Sequence, residues 1–409
     1  MDLIEFRPEL LYMGMALPFT VRDADGRILL AKGQKIETPL QLAGIQSRKK
    51  VFVEIEKTDA GVRAMMSGIS ELNRAGAPIK DIAKFLNVKQ VTKSVEREEG
   101  SLSQQWGDLE SKLGGLLASA QTTDGFAHKL HALDHTIVKL LNQDVSGSQF
   151  LLFNRSVTHF GGYSVLHSLL CAALVNLLAE TFLLSDAERQ SLVCAALTMN
   201  MAMTHLQDVL ALQPHAPSPA QRSTIDAHPA MARQMLLLCG VTDPLWLQVV
   251  EQHHAPLTGP EKLIDWPVVQ RMTRILQTVD RYTAAMSPRK SRAGRTARDS
   301  VRSVVLPVGE TKHDPVGTAL VGLLGLSPPG TFVTLANGET AAVVRRGIRP
   351  GEPWVACVFN RMGQPVAEPS LRDTSKSDFA VQSTLTGTSV KVNLNLALML
   401  KLIPRRQLA

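Results

Sequence analysis

The sequence has few aromatic residues and few cysteines, and both shortages limit what the protein can be. Phenylalanine, tryptophan and tyrosine together make up 5% of the 409 residues. Proteins that bind single-stranded nucleic acids stack the bases on aromatic side chains, so this composition disfavours such a surface. The cysteines contain no CxxC pair, and we expect buried free thiols in a reducing compartment. The four are Cys171, Cys194, Cys239 and Cys357.

Targeting and nucleotide-binding motifs are also missing. Residues 1–5 lack the basic flank and apolar core of a signal peptide. The most apolar stretch, residues 165–179, is too short and too polar to span a bilayer. No Walker loop, GxSxG elbow or GxGxxG strand-turn-helix is present. We therefore expect a cytoplasmic protein without a membrane span.

The charge of the chain is modest overall but concentrated locally. Lys and Arg outnumber Asp and Glu by 44 to 37, a net charge of +7. Residues 289–302 alone contain six basic residues and one acidic residue. No nucleic-acid-binding motif accompanies them, so we expect no nucleic acid partner. The segment is either a solvated surface or a contact for phosphate groups, which arginine binds with its planar fork.

The pattern of apolar residues and turn signals predicts a mainly α fold with β-rich ends. At 44%, hydrophobic residues suffice to build cores, which excludes wholesale disorder. Asp25-Gly26, Asn337-Gly338 and Met362-Gly363 each separate strand-like runs and predict hairpins. Within the polar helical part we expect residues 93–114 to be a solvated helix end or linker. The predicted organisation is a small β-rich domain (1–57), a helical connector (58–148), a helical domain (149–326), a small β-rich segment (327–370) and a tail (371–409).

Four histidines and one aspartate in the helical domain have the composition of a metal site. His167 lies on a long apolar helix, His228 precedes a proline, His253 and His254 are adjacent at a helix end, and Asp280 follows an apolar run. Histidine nitrogens and a carboxylate are suitable ligands for zinc, iron or manganese. A single histidine on an apolar helix is more often a hydrogen-bonded core residue. The presence of all five residues in this order along the chain nevertheless favours a metal site.

Over residues 150–326 this order resembles the HD-GYP domain, the branch of the HD phosphohydrolase superfamily that hydrolyses cyclic di-GMP. The family's His-Ser, His-Pro and His-His motifs correspond here to His167-Ser168, His228-Pro229 and His253-His254. The aspartate of its Ala-Asp motif corresponds to Asp280. The resemblance implies an all-α HD-type helical bundle domain. It also implies that basic residues after the aspartate contact substrate phosphates, with Arg289 and Arg292 as the best matches.

The family's signature His-Asp is absent, which makes the resemblance degenerate. Met199 and Asn200 stand at the positions of the signature histidine and aspartate, and Met203 replaces the lysine. Residues 255–260 lack the Gly-Tyr-Pro triad. A neutral amide cannot bridge two cations as a carboxylate does, and a thioether is a poor ligand for hard or borderline metals. We therefore expect no catalytic residues here, and we expect the methionines to fill a core.

We accordingly predict a non-catalytic HD-GYP-like signalling protein. It would bind a partner protein, or a cyclic dinucleotide through Arg289 and Arg292, without hydrolysis and without a cofactor. One alternative is an active metal-dependent phosphohydrolase with a mononuclear site. A divalent iron, manganese or zinc ion would then be held by residues from the set His167, His228, His253, His254 and Asp280. A second alternative is an interaction scaffold that binds no small ligand. The sequence does not predict the oligomeric state.

Overall fold

The structure is a computed structural model. It describes residues 2–6, 20–23, 28–30, 36, 38–47, 51–55, 100–306 and 313–402. The chain divides into two units, residues 1–98 and 99–409, and each unit is described by itself.

The described part of the first unit is a four-stranded antiparallel sheet with one helix. The strands lie in the order β1–β4–β2–β3, and helix α1 connects β3 to β4. Val21 of β2 pairs with Leu30 of β3, so the antiparallel pairing predicted across Asp25-Gly26 is confirmed. The turn itself lies outside the described residues. The elements are β1 (Asp2–Phe6), β2 (Thr20–Asp23), β3 (Ile28–Leu30), α1 (Pro39–Gln46) and β4 (Val51–Ile55).

The second unit begins with a long series of helices. These are α2 (Leu102–Ala118), α3 (Phe126–Gln143), α4 (Val145–Thr158), α5 (Tyr163–Leu178), α6 (Asp186–Thr198), α7 (Thr204–Leu212), α8 (Pro219–Leu238), α9 (Pro244–Gln252), α10 (Val268–Met286), α11 (Ala297–Val305) and α12 (Pro315–Leu324). All of these helices except α7 contribute residues to one hydrophobic core.

Local capping signals set several of the helix boundaries. The sequence predicts helix starts at a capping-box pattern on Ser185 and at Ser218 or Ser223. Ser185 and Ser218 each form a capping box with the residue three positions on, and α6 and α8 begin directly after them. Asp243 accepts from the first backbone N–H groups of α9. Gly240 has a φ of 78° and ends α8, a conformation that glycine adopts without steric penalty.

The polar stretch expected to be solvated is instead a packed helix. From Leu102 onward, residues of the predicted linker 93–114 belong to α2. Trp106, Leu109 and Leu113 are buried in the main core, and the Trp106 indole donates to Ser148 of α4 at 3.0 Å. The prediction was wrong because charged residues on the outer face concealed an apolar stripe at helical spacing.

Helix α5 lies at the centre of the second unit. It contacts α2, α3, α4, α6, α7, α10 and α12, which explains why its apolar residues are continuous around the helix. The apolar residues from 163 to 184 predict one helix, but α5 ends earlier, at Leu178, and a short 3-10 turn follows. The sequence predicts the next helix over 187–203, but α6 ends at Thr198, and residues 201–203 form a separate 3-10 turn.

A five-stranded antiparallel sheet follows the helices. The strands are β5 (Phe332–Leu335), β6 (Thr340–Arg345), β7 (Trp354–Phe359), β8 (Leu371–Asp373) and β9 (Val381–Leu385), and helix α13 (Leu396–Leu402) follows. Their order is β8–β7–β6–β5–β9. Ala342 and Val344 of β6 join the helical core, while Ala341 and Val343 belong to a small second core on the opposite face.

Two of the predicted turns have different outcomes. Asn337-Gly338 joins β5 to β6 with Gly338 at a φ of 86°, and this hairpin is confirmed. At Met362-Gly363 the chain turns, but residues 364–366 make only a bridge between Phe359 and Pro365 instead of a strand. Strands β8 and β9 come from the segment after residue 370, where the sequence predicted no strand.

The predicted fold class is confirmed: the described chain is mainly α, with small sheets toward both ends. Among the described residues, no helix combines the length and the apolar character that crossing a bilayer requires. The division into five segments remains a prediction.

Candidate metal centre and its surroundings

The ring of His228 is oriented by the proline that follows it. Pro229 lies inside α8 and has no backbone N–H, so the carbonyl oxygen of Ile225, four residues earlier, lacks its usual helical donor. The His228 Nδ1 atom hydrogen-bonds to this carbonyl. Because a carbonyl only accepts, Nδ1 carries the proton and the lone pair is on Nε2. The His-Pro pair thus fixes the tautomer of a fully buried histidine.

His253 is oriented in a similar way at the end of α9. Its Nδ1 donates to the carbonyl oxygen of Val250 at 2.6 Å, one of the orphan carbonyls of the last helical turn. His253 is buried and the adjacent His254 is exposed. The two rings lie 4.2 Å apart, centroid to centroid, and the His254 ring lies 5.2 Å from that of His228.

These contacts bring three imidazole nitrogens together. The Nε2 atoms of His228 and His253 are 3.0 Å apart, and one nitrogen each of His228, His253 and His254 lie within 4.8 Å of one another. With both Nδ1 atoms donating to carbonyls, two lone pairs face each other, which is unfavourable unless a proton or a cation lies between them. Metal-bound histidines usually donate their other N–H to a carbonyl or a carboxylate, as these do.

The three histidines therefore fit a divalent transition metal, and we call them the histidine cluster. Zn–N bonds are about 2.0–2.1 Å long, which is compatible with two ligands 3.0 Å apart on one ion. Burial lowers the pKa of His253 to about 3, and the nearby His254 contributes to this shift. Burial is also the largest cause that lowers the pKa of His228. Both rings are thus neutral at physiological pH, the form in which histidine binds metals.

His167 and Asp280 form an ion pair beside this cluster and do not join it. The His167 Nε2 atom lies 2.8 Å from Asp280 Oδ1, and the side chains are 2% and 15% exposed. Burial lowers the pKa of His167, but Cys171, Tyr163 and Asp280 together raise it well above its usual range. Burial raises the pKa of Asp280, but the hydrogen bond from His167 outweighs it and lowers the pKa to about 2.

Sequence reasoning overlooked three residues around His167. Tyr163 stacks on the His167 ring with an interplanar angle of 11°, and the Cys171 Sγ atom lies 3.8 Å from Nε2. The hydroxyl of Thr283 is 3.4 Å from His167 Nδ1. The sequence spacing could have identified two of the three, because residues four apart on one helix share a face. Tyr163, His167 and Cys171 have this spacing on α5.

The three residues aligned above with the family signature lie in the interior. Met199, Asn200 and Met203 have exposed fractions of 0%, 5% and 8%. Met199 and Met201 belong to the main hydrophobic core, as expected for methionines filling irregular space. The turn 201–203 contacts α8, the helix that carries His228. The segment therefore packs beside the histidine cluster but supplies no imidazole or carboxylate to it.

The two arginines proposed for phosphate binding already have partners within the protein. The Arg289 guanidinium lies 5.1 Å from the centroid of the Tyr163 ring and donates to its hydroxyl at 3.1 Å. Its buried Nε has no hydrogen-bond partner. Arg292 donates to the carbonyl oxygens of Ala284 and Ala285 in the last turn of α10. Arg292 thus caps a helix end, while Arg289 is coupled through Tyr163 to His167.

Two other features are separate from the histidine cluster. His205 and Asp208 follow the signature positions in the sequence and could be a displaced His-Asp pair. His205 is exposed, however, and Asp208 caps α5, accepting from the Ser164 N–H at 2.8 Å. A cavity of about 840 Å³ is lined by residues that include Asn176 and Arg189. None of the predicted site residues lines it.

Comparisons with known proteins give limited information about this chain. No family model matches it, and no curated protein matches it. Among solved structures it is similar to one described as Bd1817, a HDG"Y"P protein from Bdellovibrio bacteriovorus. The identity is 12%, the TM-score is 0.41, and the match covers 77% of this chain and 96% of the other. A similarity at this level supports no statement about function.

Proposed function

We propose that the protein is a non-hydrolytic binding protein in signalling, and that His228, His253 and His254 hold one divalent transition-metal ion. The supporting observation is the facing pair of Nε2 atoms, 3.0 Å apart, on rings whose Nδ1 atoms are committed to carbonyls. Three histidine ligands leave coordination positions open, as in catalytic zinc sites with three protein ligands. When bound, the ion would supply positive charge to an anionic ligand.

Hydrolysis is disfavoured by the residues around the cluster. Two-metal hydrolysis of phosphodiesters requires a ligand that both ions share. Met199 is buried among apolar side chains, and Asn200 offers only a neutral oxygen. The carboxylate of Asp280 is occupied by the ion pair with His167. The side chains present therefore suit binding of one ion better than activation of water between two.

A cyclic dinucleotide is the small ligand that this proposal favours. Its phosphates are anionic, and Arg289 has a buried Nε without a partner. Arg292 is less suited because its guanidinium donates to backbone carbonyls. A signalling partner protein is the other candidate, and the exposed His254 would be accessible to either ligand.

The test combines metal analysis, binding and hydrolysis on the full-length protein. After chelation and reloading with manganese, iron or zinc, we expect His253→Ala to hold one ion fewer per chain than the wild type. His205→Ala, at an exposed position outside the cluster, is the control. Isothermal titration with cyclic di-GMP should show binding, and chromatography should show no product.

Other outcomes would support the alternative functions. Hydrolysis that His253→Ala abolishes would contradict this proposal and establish an active mononuclear phosphohydrolase. If His253→Ala had an unchanged metal content and the protein bound no nucleotide, the interaction scaffold would be the supported function.

A further inference from the structure

The side of α8 that faces solvent carries no charged residue over about four helical turns. Its residues recur three or four positions apart, so they lie on one face of the helix. Met231, Leu237 and Leu238 are 45%, 45% and 72% exposed, and the other members are also exposed. We call this surface the α8 face, and it consists of Ser223, Ala227, Ala230, Met231, Gln234, Leu237 and Leu238.

This composition is unusual for the outer side of a helix that is already anchored. On the opposite side of α8, the side chains of His228, Ala232 and Leu236 are buried. A surface helix normally presents charged and polar residues to water on its outer side. An apolar outer side is instead typical of a surface that binds another protein. The α8 face shares no residue with the histidine cluster, so an inference from it does not depend on the function proposed above.

We propose that the α8 face binds the same face of a second copy of this chain. The two α8 helices run antiparallel, with the twofold axis of the dimer at Gln234. A twofold contact uses one surface on both partners, so the surface has to be complementary to itself. In this register Met231 lies opposite the partner's Leu237, and Ala230 lies opposite the partner's Leu238. Small side chains thus face large ones, which lets the ridges of one helix enter the grooves of the other.

Gln234 selects this register because it is the polar residue in the middle of the apolar part of the face. An amide has both donors and an acceptor, so two amides that meet at the twofold axis satisfy each other. A register displaced by one turn would place each amide against an apolar side chain and remove its hydrogen bonds with water. The centred, antiparallel pairing therefore leaves no polar group of the apolar part without a partner.

The charges around the α8 face favour a second copy over a charged partner. One border of the face carries Arg222 and Asp226, which have opposite charges and are four residues apart. The same border carries Arg233, which pairs with Glu251 at 3.2 Å. The formal charges of this border sum to zero. A charged partner would lose hydration here without gaining an opposite charge, whereas a second copy brings an equally neutral surface.

The size of the α8 face indicates a weak dimer. Residues 223–238 extend over about 24 Å of helix. One face of this length is smaller than a standard interface, which buries about 800 Å² on each partner. Contacts below that size are typical of transient association. We therefore expect monomer and dimer to be in equilibrium and the dimer to dissociate on dilution.

Sedimentation equilibrium of the full-length protein tests the dimer. A chelator is present, so that metal bound to the exposed His254 does not link two chains. We expect the mean mass of the wild type to rise from monomer toward dimer with concentration. Met231→Glu places a carboxylate in the apolar contact twice per dimer, so the dissociation constant should rise about a hundredfold. Met362→Glu, at an 81% exposed position after β7, is the matched control and should dimerise as the wild type does.

Disulfide cross-linking tests the register. Cys239→Ser is the background, because Cys239 is half-buried and the other three cysteines are buried. Gln234→Cys then brings two thiols together at the twofold axis, since helices packed about 8–10 Å apart place facing Cβ atoms within disulfide range. We expect diamide to oxidise this pair to a covalent dimer. Ser223→Cys, at the far end of the same face, has its two copies about 33 Å apart and should stay monomeric.

Three outcomes would overturn the proposal. The first is a wild type that stays monomeric at every concentration. The second is an unchanged dissociation constant in Met231→Glu, with circular dichroism confirming its fold. The third is cross-linking of Ser223→Cys as efficient as that of Gln234→Cys, which would indicate parallel helices or random collision. The cross-linking variants keep Met231, so they decide the question even if Met231→Glu does not fold. Metal content is measured separately, so failure of this dimer is distinguishable from failure of the histidine cluster.

Discussion

His228 and His253 face each other through their Nε2 atoms at 3.0 Å, while their Nδ1 atoms bind the carbonyl oxygens of Ile225 and Val250. Two helix features produce this geometry. Pro229 frees the Ile225 carbonyl, and the end of α9 frees the Val250 carbonyl. The backbone thus sets both tautomers and presents two lone pairs to a common point.

Metal binding should therefore stabilise the folded protein. We expect zinc at about one hundred times its dissociation constant to add about 2.7 kcal/mol to the free energy of unfolding, and removal by a chelator to reverse it. His228→Gln should lose most of this increase, because it removes one of the two facing nitrogens. His205→Gln, at an exposed site, should keep it. Differential scanning calorimetry with and without chelator measures the effect. Equal stabilisation of His228→Gln and the wild type would contradict this role of the cluster.

Restoring the signature histidine should destabilise the protein. Met199 is fully buried in the apolar core, so Met199→His removes apolar contacts and buries a polar ring. We expect a loss of about 2–4 kcal/mol in the free energy of unfolding. Met199→Leu, similar in volume and apolar, should lose less than about 1.5 kcal/mol. Urea denaturation compares the two. If both variants were equally stable, the side chain would have to face a polar site instead of the core.

Substitution by alanine should destabilise the protein more at Gly330 than at Gly338, although the two glycines have similar backbone conformations. Gly330 and Gly338 have φ values of 89° and 86°. A Cβ on Gly330 would lie 2.5 Å from the Asn154 nitrogen and the Phe150 oxygen of α4, while a Cβ on Gly338 meets nothing within 4 Å. We expect Gly338→Ala to lose about 1–2 kcal/mol from backbone strain and Gly330→Ala about 3–5 kcal/mol.

Both variants have the same backbone strain, so the difference between their thermal unfolding midpoints measures the close contact between the turn before β5 and α4. Similar unfolding midpoints of the two variants would show that α4 moves away from residue 330 without a cost in free energy.

Acid should weaken the ion pair between Glu339 and Arg372. The guanidinium of Arg372 donates to both carboxylate oxygens of Glu339, at 2.9 and 3.0 Å, and this contact lowers the pKa of Glu339. Because the pKa is lower in the folded state, the pair stabilises the fold above the unfolded-state pKa near 4.5 and loses this effect as the pH falls. As the pH falls from 7 through the folded-state pKa below 4.5, thermal unfolding should show a smaller loss of stability for Glu339→Gln than for the wild type.

Glu368→Gln, at an exposed position, is the matched control and should follow the wild type. An identical pH dependence in Glu339→Gln and the wild type would show that the pair contributes nothing measurable.

Short-range signals predicted much of the fold because capping and turn formation involve neighbouring residues. The capping boxes at Ser185 and Ser218 and the turn at Gly338 are examples. Strands β8 and β9 escaped prediction because their stability comes from pairing with β7 and β5, which are distant in sequence. The burial of helix α2 was not predicted, because its charged face obscured its apolar one.

The sequence likewise predicted one part of the candidate site, the ligand residues, but not their grouping. The residue types and their order sufficed to predict the four histidines and Asp280 as potential ligands. The grouping of these ligands could not be predicted, because it depends on where α5 and α10 cross. That crossing pairs His167 with Asp280 and Cys171, whereas α8 and α9 bring the other three histidines together. Distances of about 3 Å between side chains on different helices follow from core packing, which no local pattern encodes.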